Sequence, residues 1–276
     1  RRPPVVTSPV AVVTGAAGQD GSYLVERLVH DGYAVHAVAR SADRAALLSA
    51  DDVTIHEVDL TEHERLSGLI LDLRPDEIYN LGGLSSVAHS WQEPIAAAEV
   101  SGVAPIVLLE AALRLQHQSG RPVRVLQASS AEIFGEPSEV PQTELTPIRP
   151  VSPYGAAKAL AHHAVHVFRG RGLHASSVIL YNHESPRRPT TFVTRKITAA
   201  VAAIATSGSG TLALGNLDAA RDWGWAPDYV DAMVRAVRER YGRIDILVNN
   251  AGIIQVGPLE SMTLADFGNA MAVMFW

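Results

Sequence analysis

The sequence predicts an α/β fold: a doubly wound parallel sheet with a smaller C-terminal lobe. Three observations predict it. Short β-rich apolar runs alternate with stretches of helical spacing from Val10 to Tyr181. A glycine-rich turn joins the first run to the first helical stretch. After Tyr181 the pattern gives way to a segment rich in Pro, Gly, Arg, Thr and Asn.

Taken in order, Arg1–Pro9 reads as a tail. Val10–Thr14 is apolar up to its last residue, as a strand covered on both faces must be. Tyr23, Leu24, Arg27 and Leu28 then recur at helical spacing. The next strands are expected at Ala34–Ala39, Val53–Val58, Glu77–Leu81, Val123–Ala128 and Ser176–Tyr181. Leu66, Leu69, Ile70 and Leu73 mark the helix after the third. These units make a dinucleotide-binding domain over residues 10–181. Residues 182–276 are assigned to a substrate-binding lobe, with one clear helix (Phe192–Thr206) and a Gly/Ser turn (Ser207–Gly210).

Composition narrows the function classes. The chain has 276 residues, 47% of them hydrophobic and 19% charged, which is a globular rather than a disordered profile. Its net charge of −6 argues against sequence-independent nucleic-acid binding, which needs clustered cations. Without cysteine there is no disulfide, thiolate metal site or cysteine nucleophile. No apolar run approaches the roughly 20 residues that span a bilayer. The basic N-terminal residues are not followed by the apolar stretch of a secretory signal, so a cytoplasmic location is expected.

Two motifs carry chemistry. Thr14-Gly15-Ala16-Ala17-Gly18-Gln19-Asp20-Gly21 lies between a strand and a helix, with GxxGxxG spacing. Gly15 permits the tight turn, Gly18 lets the backbone approach a pyrophosphate, and Gly21 lets helix and strand pack closely. The helix N-terminus offers unpaired N–H groups to the phosphates. The second strand ends at Arg40 and Ser41, which suit a 2′-phosphate, so NADP is favoured. Asp43 nearby keeps NAD as the alternative. Asp59 and Leu60, after the third strand, suit an adenine-edge contact, and Asp59 alternatively caps the next helix.

The second motif is Tyr154-x-x-x-Lys158. One helical turn apart, the two side chains share a face, and an ammonium beside a phenol favours the phenolate as a base. Ser129-Ser130-Ala131-Glu132 follows the fifth strand, at the sheet edge where such folds place active sites. The bland reading of Tyr154 and Lys158 is a helix-surface pair. That of Glu132 is a carboxylate at a helix start.

With these motifs, the stretches YNLGGLSSVAHSW (79–91), SSAEIFGEP (129–137), YNHESPRRPTTFVTRKIT (181–198) and LGNLDAARDWG (214–224) make the chain resemble the GDP-mannose 4,6-dehydratase family of extended short-chain dehydrogenases. The resemblance covers about residues 10–233. It implies a lyase that converts GDP-mannose to GDP-4-keto-6-deoxy-mannose with NADP. Tyr154 would take the 4-hydroxyl proton, Ser130 would bond the 4-oxygen, Lys158 would tune Tyr154, and Glu132 would take the C5 proton. By the same resemblance Gly15, Gly18, Gln19, Asp20, Gly21, Arg40, Asp59, Leu60, Leu81, Tyr154, Lys158 and His183 hold the cofactor. Ser85, Asn182, Arg188, Lys196 and Arg221 face the substrate, with bracing of the loop as the alternative for Arg187 and Arg188. No metal is expected; although His162 and His166 are one turn apart, this helix is read as packing against a partner subunit, with His162, His163 and His166 at or near that contact. The alternatives are a sugar-nucleotide epimerase or reductase, and a non-catalytic NADP-binding protein.

The pattern departs from the family in places. The segment from Arg40 to Asp52 is short, which favours a homodimer over a tetramer. Ser101 stands where an acidic residue is common, and Trp225 where histidine is. From Val237 to Gly252 the sequence resembles a fragment of a single-domain short-chain dehydrogenase, including Asn249-Asn250-Ala251-Gly252. This tail is expected to form a helix (Asp228–Tyr241), a strand (Ile244–Val248), a loop with Gly257-Pro258 and a helix (Leu264–Phe275), in place of the family's own lobe.

Overall fold

The computed structural model describes residues 8–41, 48, 52–215, 217, 221–238 and 245–248. The chain divides into two compact units, 1–180 with 230–248, and 181–229 with 249–276.

The first unit is built on a parallel sheet. Its strands are β1 (Val10–Thr14), β2 (Ala34–Ala39), β3 (Val53–Glu57), β4 (Glu77–Asn80), β5 (Arg124–Ala128), β6 (His174–Leu180) and β9 (Asp245–Val248), in the spatial order β3-β2-β1-β4-β5-β6-β9. Strand order reverses beside β1, which opens a crevice at the C-terminal ends of β1 and β4. The helices are α1 (Gln19–His30), α2 (His63–Leu73), α3 (Val87–Gln92), α4 (Pro94–Ala98), α5 (Ala104–Ser119), α6 (Pro153–Arg169) and α8 (Ala226–Arg238), whose first four residues belong to the other unit. β1 and β4 are almost wholly buried, as expected of strands covered on both faces. One core cluster joins Leu66 and Ile70 of α2 to Leu108, Leu109 and Leu115 of α5 and Val165 of α6.

The expected strands all form, β1 and β2 with the expected ends and the others with ends shifted by one or two residues. Pro9, assigned to the tail, already takes part in the sheet: its carbonyl accepts the Ala34 N–H at 2.9 Å. Residues 1–7 lie outside the described residues.

Residues 94–119 form one helical run, and by length and composition it is apolar enough to cross a membrane. This corrects the expectation that no apolar run approaches that length: polar residues such as Glu99 and Glu110 interrupt the run in the sequence, while the helix as a whole remains apolar. Half of its most apolar stretch is buried inside the fold, as in the core helix of a layered α/β unit.

The tail departs most from expectation. The helix and strand assigned to the lobe return to the first unit, where β9 pairs in parallel with β6 from Ser177↔Asp245 to Leu180↔Val248. α8 is tied there by the Arg238–Asp31 ion pair at 2.8 Å and by Arg27 with Asp231. Asp43, the 239–241 end of the expected helix, the segment 249–252, Gly257-Pro258 and the 264–275 helix lie outside the described residues.

The second unit contains β7 (Asn182–Glu184), β8 (Trp223–Trp225) and α7 (Val193–Ser207). β7 and β8 pair in parallel, with Asn182 opposite Trp223 and His183 opposite Gly224.

Candidate active site

The glycine loop is shaped by contacts that leave no room for side chains. Gly15 has φ +66°, and a Cβ there would stand 2.7 Å from the Gly82 nitrogen and 2.8 Å from the Leu81 carbonyl carbon. A Cβ on Gly21 would lie 2.2 Å from the Gly15 oxygen, so helix and turn pack as the spacing predicts. On Gly18 it would meet only that same oxygen, at 3.1 Å. Gly18 is the N-cap of α1 and no side chain caps the helix, so its first-turn N–H groups suit an anion. Gln19 is buried and donates to Asp20 at 3.1 Å.

Arg40 is exposed just past β2. Asp59 accepts the Thr61 N–H at 3.0 Å and the Thr61 hydroxyl at 2.9 Å. These bonds, led by the backbone one and helped by the Arg40 charge, hold its carboxyl below the usual range. Asp59 thus closes a local turn; the N-cap position of α2 belongs to Glu62. Leu60 is buried, and its Cδ1 would lie 2.5 Å from a Cβ on Gly82, so it walls the loop after β4.

A buried polar row crosses the C-terminal edge of the sheet. Thr14, Asn80, Gln127 and Ser177 stand opposite one another on β1, β4, β5 and β6. Thr14 donates to Asn80, Asn80 donates to Gln127 at 2.6 Å, and Gln127 donates to the Ala128 carbonyl at 2.8 Å. The same carbonyl accepts the Lys158 ammonium at 2.9 Å. The row therefore ties the cofactor-loop strand to the lysine of the YxxxK motif. At its far end Ser177 bonds His162 Nδ1 at 2.9 Å, so His162 is buried against the chain's own β6 and not at the expected partner contact. Among the described residues no three His, Asp or Glu side chains gather as a metal site.

α6 starts where Ser152 caps the Gly155 N–H at 3.0 Å, with Pro153 in its first turn. Tyr154 is buried, and its N–H donates to Ser90 Oγ at 3.2 Å. Lys158 Nζ lies 5.8 Å from the centre of the Tyr154 ring. Burial pushes the Lys158 amine down to about 8, against an opposing pull from the Asp20 carboxylate. Ser130 caps a 3₁₀ turn over Ala131–Ile133, its Oγ accepting the Glu132 N–H at 3.2 Å. A Cβ on Gly155 would lie 2.5 Å from the Glu132 carbonyl, so this turn packs directly on α6. Ser130, Glu132, Tyr154 and Lys158 are thus gathered at one edge of the first unit. Ser85 is exposed in the loop between β4 and α3.

In the second unit, the β7–β8 ladder brings Asn182 and His183 beside the strand that follows Arg221. His183 is buried, stacks on Tyr229 at 4.2 Å between centroids, and donates from Nδ1 to the Tyr181 carbonyl at 2.7 Å. Burial raises the Asp222 carboxyl, and burial together with Asp222 pushes Tyr181 up to about 12. Arg188 pairs with Glu184 at 3.3 Å and lies 3.7 Å over the Phe192 ring, the bracing arrangement. Lys196, exposed on α7, donates to the Ala213 carbonyl at 2.6 Å.

The sequence model of the family described as GDP-mannose 4,6 dehydratase matches residues 12–273. The chain belongs to that family. The match runs past Met233, where the motif resemblance stops, and takes in the tail. Curated dehydratases of the family are similar throughout: 43% identical over 234 residues for the enzyme of Yersinia enterocolitica, covering 80% of this chain and 62% of that one. GDP-mannose 4,6 dehydratase 2 of Arabidopsis thaliana is 43% identical over 237 residues, covering 81% and 63%. For GDP-mannose 4,6-dehydratase sdnI of Sordaria araneosa the identity is 43%, over 84% of this chain and 43% of that one. The chain therefore spans about 43–63% of the length of these relatives. Among solved structures, the Thermus thermophilus UDP-glucose 4-epimerase complex with NAD superposes with TM-score 0.72 at 27% identity, covering 83% of this chain and 75% of that one. The Bacillus anthracis dTDP-glucose 4,6-dehydratase in complex with NAD shares the fold, with TM-score 0.73 at 20% identity, covering 89% and 76%.

Two residues beside this site have no role assigned from the sequence, although Ser101 stands out there as a departure from the family pattern. Ser90 holds the Tyr154 backbone from α3, and Ser101 lies behind Lys158 under the loop after β4. Isolated serines carry no spacing signal. The row formed by Thr14, Asn80 and Gln127 left a faint one, a polar residue at or near the C-terminal end of each strand, after apolar or aromatic residues.

Proposed function

We propose that this chain dehydrates GDP-mannose to GDP-4-keto-6-deoxy-mannose, with NADP as its cofactor. The observation that carries this reading is Glu132. A carboxylate stands two residues after Ser130, in a turn packed on the helix that presents Tyr154 and Lys158. An epimerase or reductase of this superfamily has no use for that carboxylate; an elimination needs a base at C5.

The residues present fit the cofactor. The uncapped α1 N-terminus and the bare glycine loop suit its pyrophosphate, and Arg40 suits a 2′-phosphate. When bound, NADP supplies a hydride acceptor for C4 and a donor for C6, with no net consumption. Tyr154 Oη takes the proton of the 4-hydroxyl, and Lys158 favours the phenolate by its charge. Ser130 Oγ donates to the sugar 4-oxygen. Once C4 is a ketone the C5 hydrogen is acidic; a Glu132 carboxylate oxygen takes it as a proton and passes that proton to the C6 hydroxyl, which leaves as water, and C5 regains a proton from solvent when C6 is reduced. Arg221, Asn182 and Lys196 are assigned to the nucleotide-sugar, and cationic groups suit its diphosphate. Arg188, held by Glu184, braces the loop. Trp91, Ile95, Leu160 and Val167 are exposed apolar side chains on α3, α4 and α6, and they favour a homodimer through this face.

The test is incubation with GDP-mannose and catalytic NADP⁺, followed by mass spectrometry of the sugar nucleotide. A product lighter by one water, absent with Glu132→Gln and Tyr154→Phe, is expected. Stoichiometric consumption of added NADPH without loss of water would overturn the dehydratase in favour of a reductase.

A further inference from the structure

Between α4 and α5 the helical run takes a π turn over Glu99–Val103. Such a widening in the middle of a helix is uncommon and often lies at a functional site. Here it brings the helix close to α6: a Cβ on Gly102 would stand 3.1 Å from Leu160 Cδ2 and 3.4 Å from the Ala157 carbonyl. The same turn buries Ser101 completely, and its Oγ accepts the Leu84 N–H at 3.1 Å. Gly83 lies between this hydroxyl and the lysine of the YxxxK pair. A Cβ on Gly83 would be 3.2 Å from Ser101 Oγ and 3.4 Å from Lys158 Nζ. The loop backbone at Gly83 and Leu84 is therefore the wall that covers the Lys158 amine, and Ser101 is bonded to that wall.

We propose that Ser101 is a positioning residue, whose hydroxyl, set in place by the π turn, clamps the loop at Leu84 over Lys158 and keeps water from its amine. The proposal rests on the reading of Lys158 as the working partner of Tyr154. The clamp explains how an ammonium bonded to the Ala128 carbonyl stays buried beside an exposed loop. Loss of the hydroxyl leaves the Leu84 N–H without its acceptor and frees the loop to open.

The chain contains two lysines, Lys158 and Lys196, so each serves as a reference for the other. Both are labelled with acetic anhydride and the rate at each is read by mass spectrometry. Ser101→Ala is expected to raise the Lys158 rate relative to Lys196 by about tenfold, the size of one lost net hydrogen bond. Ser101→Thr, which keeps the acceptor, is expected to return the ratio to within about twofold of the parent. Hydrogen exchange at the Leu84 amide should follow the same order. An unchanged ratio in Ser101→Ala overturns the clamp. So does a Thr variant that labels as fast as the Ala variant, because packing alone is then at work. If neither variant folds, an unprotected Leu84 amide in the parent protein overturns it, and a protected one supports it. None of these readouts uses GDP-mannose, so a failure of the dehydratase reading leaves them intact.

Discussion

Lys158 and Lys196 sit in opposite surroundings. Lys158 is buried in the first unit, bonded to the Ala128 carbonyl at the end of a polar row three strands wide. Lys196 is exposed in the second unit, on a helix that buries none of its residues, and it donates to a loop carbonyl. The same contrast runs through the candidate residues of the two units. Tyr154, Ser130 and the glycine loop are fixed by backbone packing and buried hydrogen bonds. Arg188 and Lys196 are held by side-chain contacts at or near the surface. Chemistry that depends on proton transfer needs groups whose geometry is set before the substrate arrives. Binding a flexible diphosphate needs long cations that adjust.

The contrast is broken most severely at Tyr154. Tyr154→Phe removes the proposed proton acceptor and leaves the packing, so turnover should fall by about 10²–10⁴-fold while NADP affinity stays within about twofold of the parent. Turnover is read as loss of water from the sugar nucleotide, and affinity by calorimetry. A variant that lost the cofactor instead would show that the phenol is structural.

Burial of Lys158 carries a stability cost with a defined pH window. Its folded value of about 8 lies below the ordinary 10.5, so between those values the unfolded chain binds more protons than the fold. Stability therefore rises with pH through that window; the cost is fully present below pH 8 and gone above about 10.5. Lys158→Met should stabilise the protein at pH 7 by about 1–3 kcal/mol, less than the whole shift because the Ala128 carbonyl loses its donor. Urea denaturation at pH 7 and pH 10.5 should show that gain at the lower pH only. A gain independent of pH would mean that the lysine is not desolvated.

How much of this was legible in the sequence divides along local and non-local lines. The strands β1 to β6, the glycine loop and the YxxxK helix follow from periodicity and turn chemistry within a few residues of each position. Gly15 with its left-handed φ and Gly21 with its close helix contact could be read from spacing alone. The β7–β8 ladder joins segments forty residues apart, each only three residues long, so neither carries a period. β9 was expected as a strand, yet its place beside β6 depends on which sheet edge is free. The π turn is a register adjustment that α5 makes against α6, and only Gly102, small enough for that approach, hints at it. For the same reason the partners of Ser101 and Ser90 had to be seen in three dimensions, whereas the Glu184 pair and the Phe192 ring favour the bracing that the sequence offers as the alternative for Arg188.

The second unit has one rigid point, and it offers a smaller test. A Cβ on Gly224 would lie 2.3 Å from Cε2 of Tyr229, the ring stacked on His183. Gly224→Ala should displace that ring and cost about 1–3 kcal/mol, as overpacking does. Thermal unfolding would read the cost, and limited proteolysis should show faster cleavage between residues 181 and 229. Unchanged stability would mean that the stack yields, and that this unit is adaptable throughout.

The smallest effect is expected at Arg188. Its guanidinium is already engaged by Glu184 at 3.3 Å and by the Phe192 ring at 3.7 Å, so a substrate phosphate would have to compete with both. Arg188→Ala should cost roughly 1 kcal/mol or less and change KM for GDP-mannose by no more than about threefold. Arg221→Ala, at a position assigned to the diphosphate, should raise KM by about tenfold or more, as loss of a charged hydrogen bond does. The pair of variants separates bracing from binding within one unit. If Arg188→Ala raised KM as much as Arg221→Ala, the Glu184 pair would be a resting arrangement that the substrate displaces. The second unit would then present both arginines to the diphosphate.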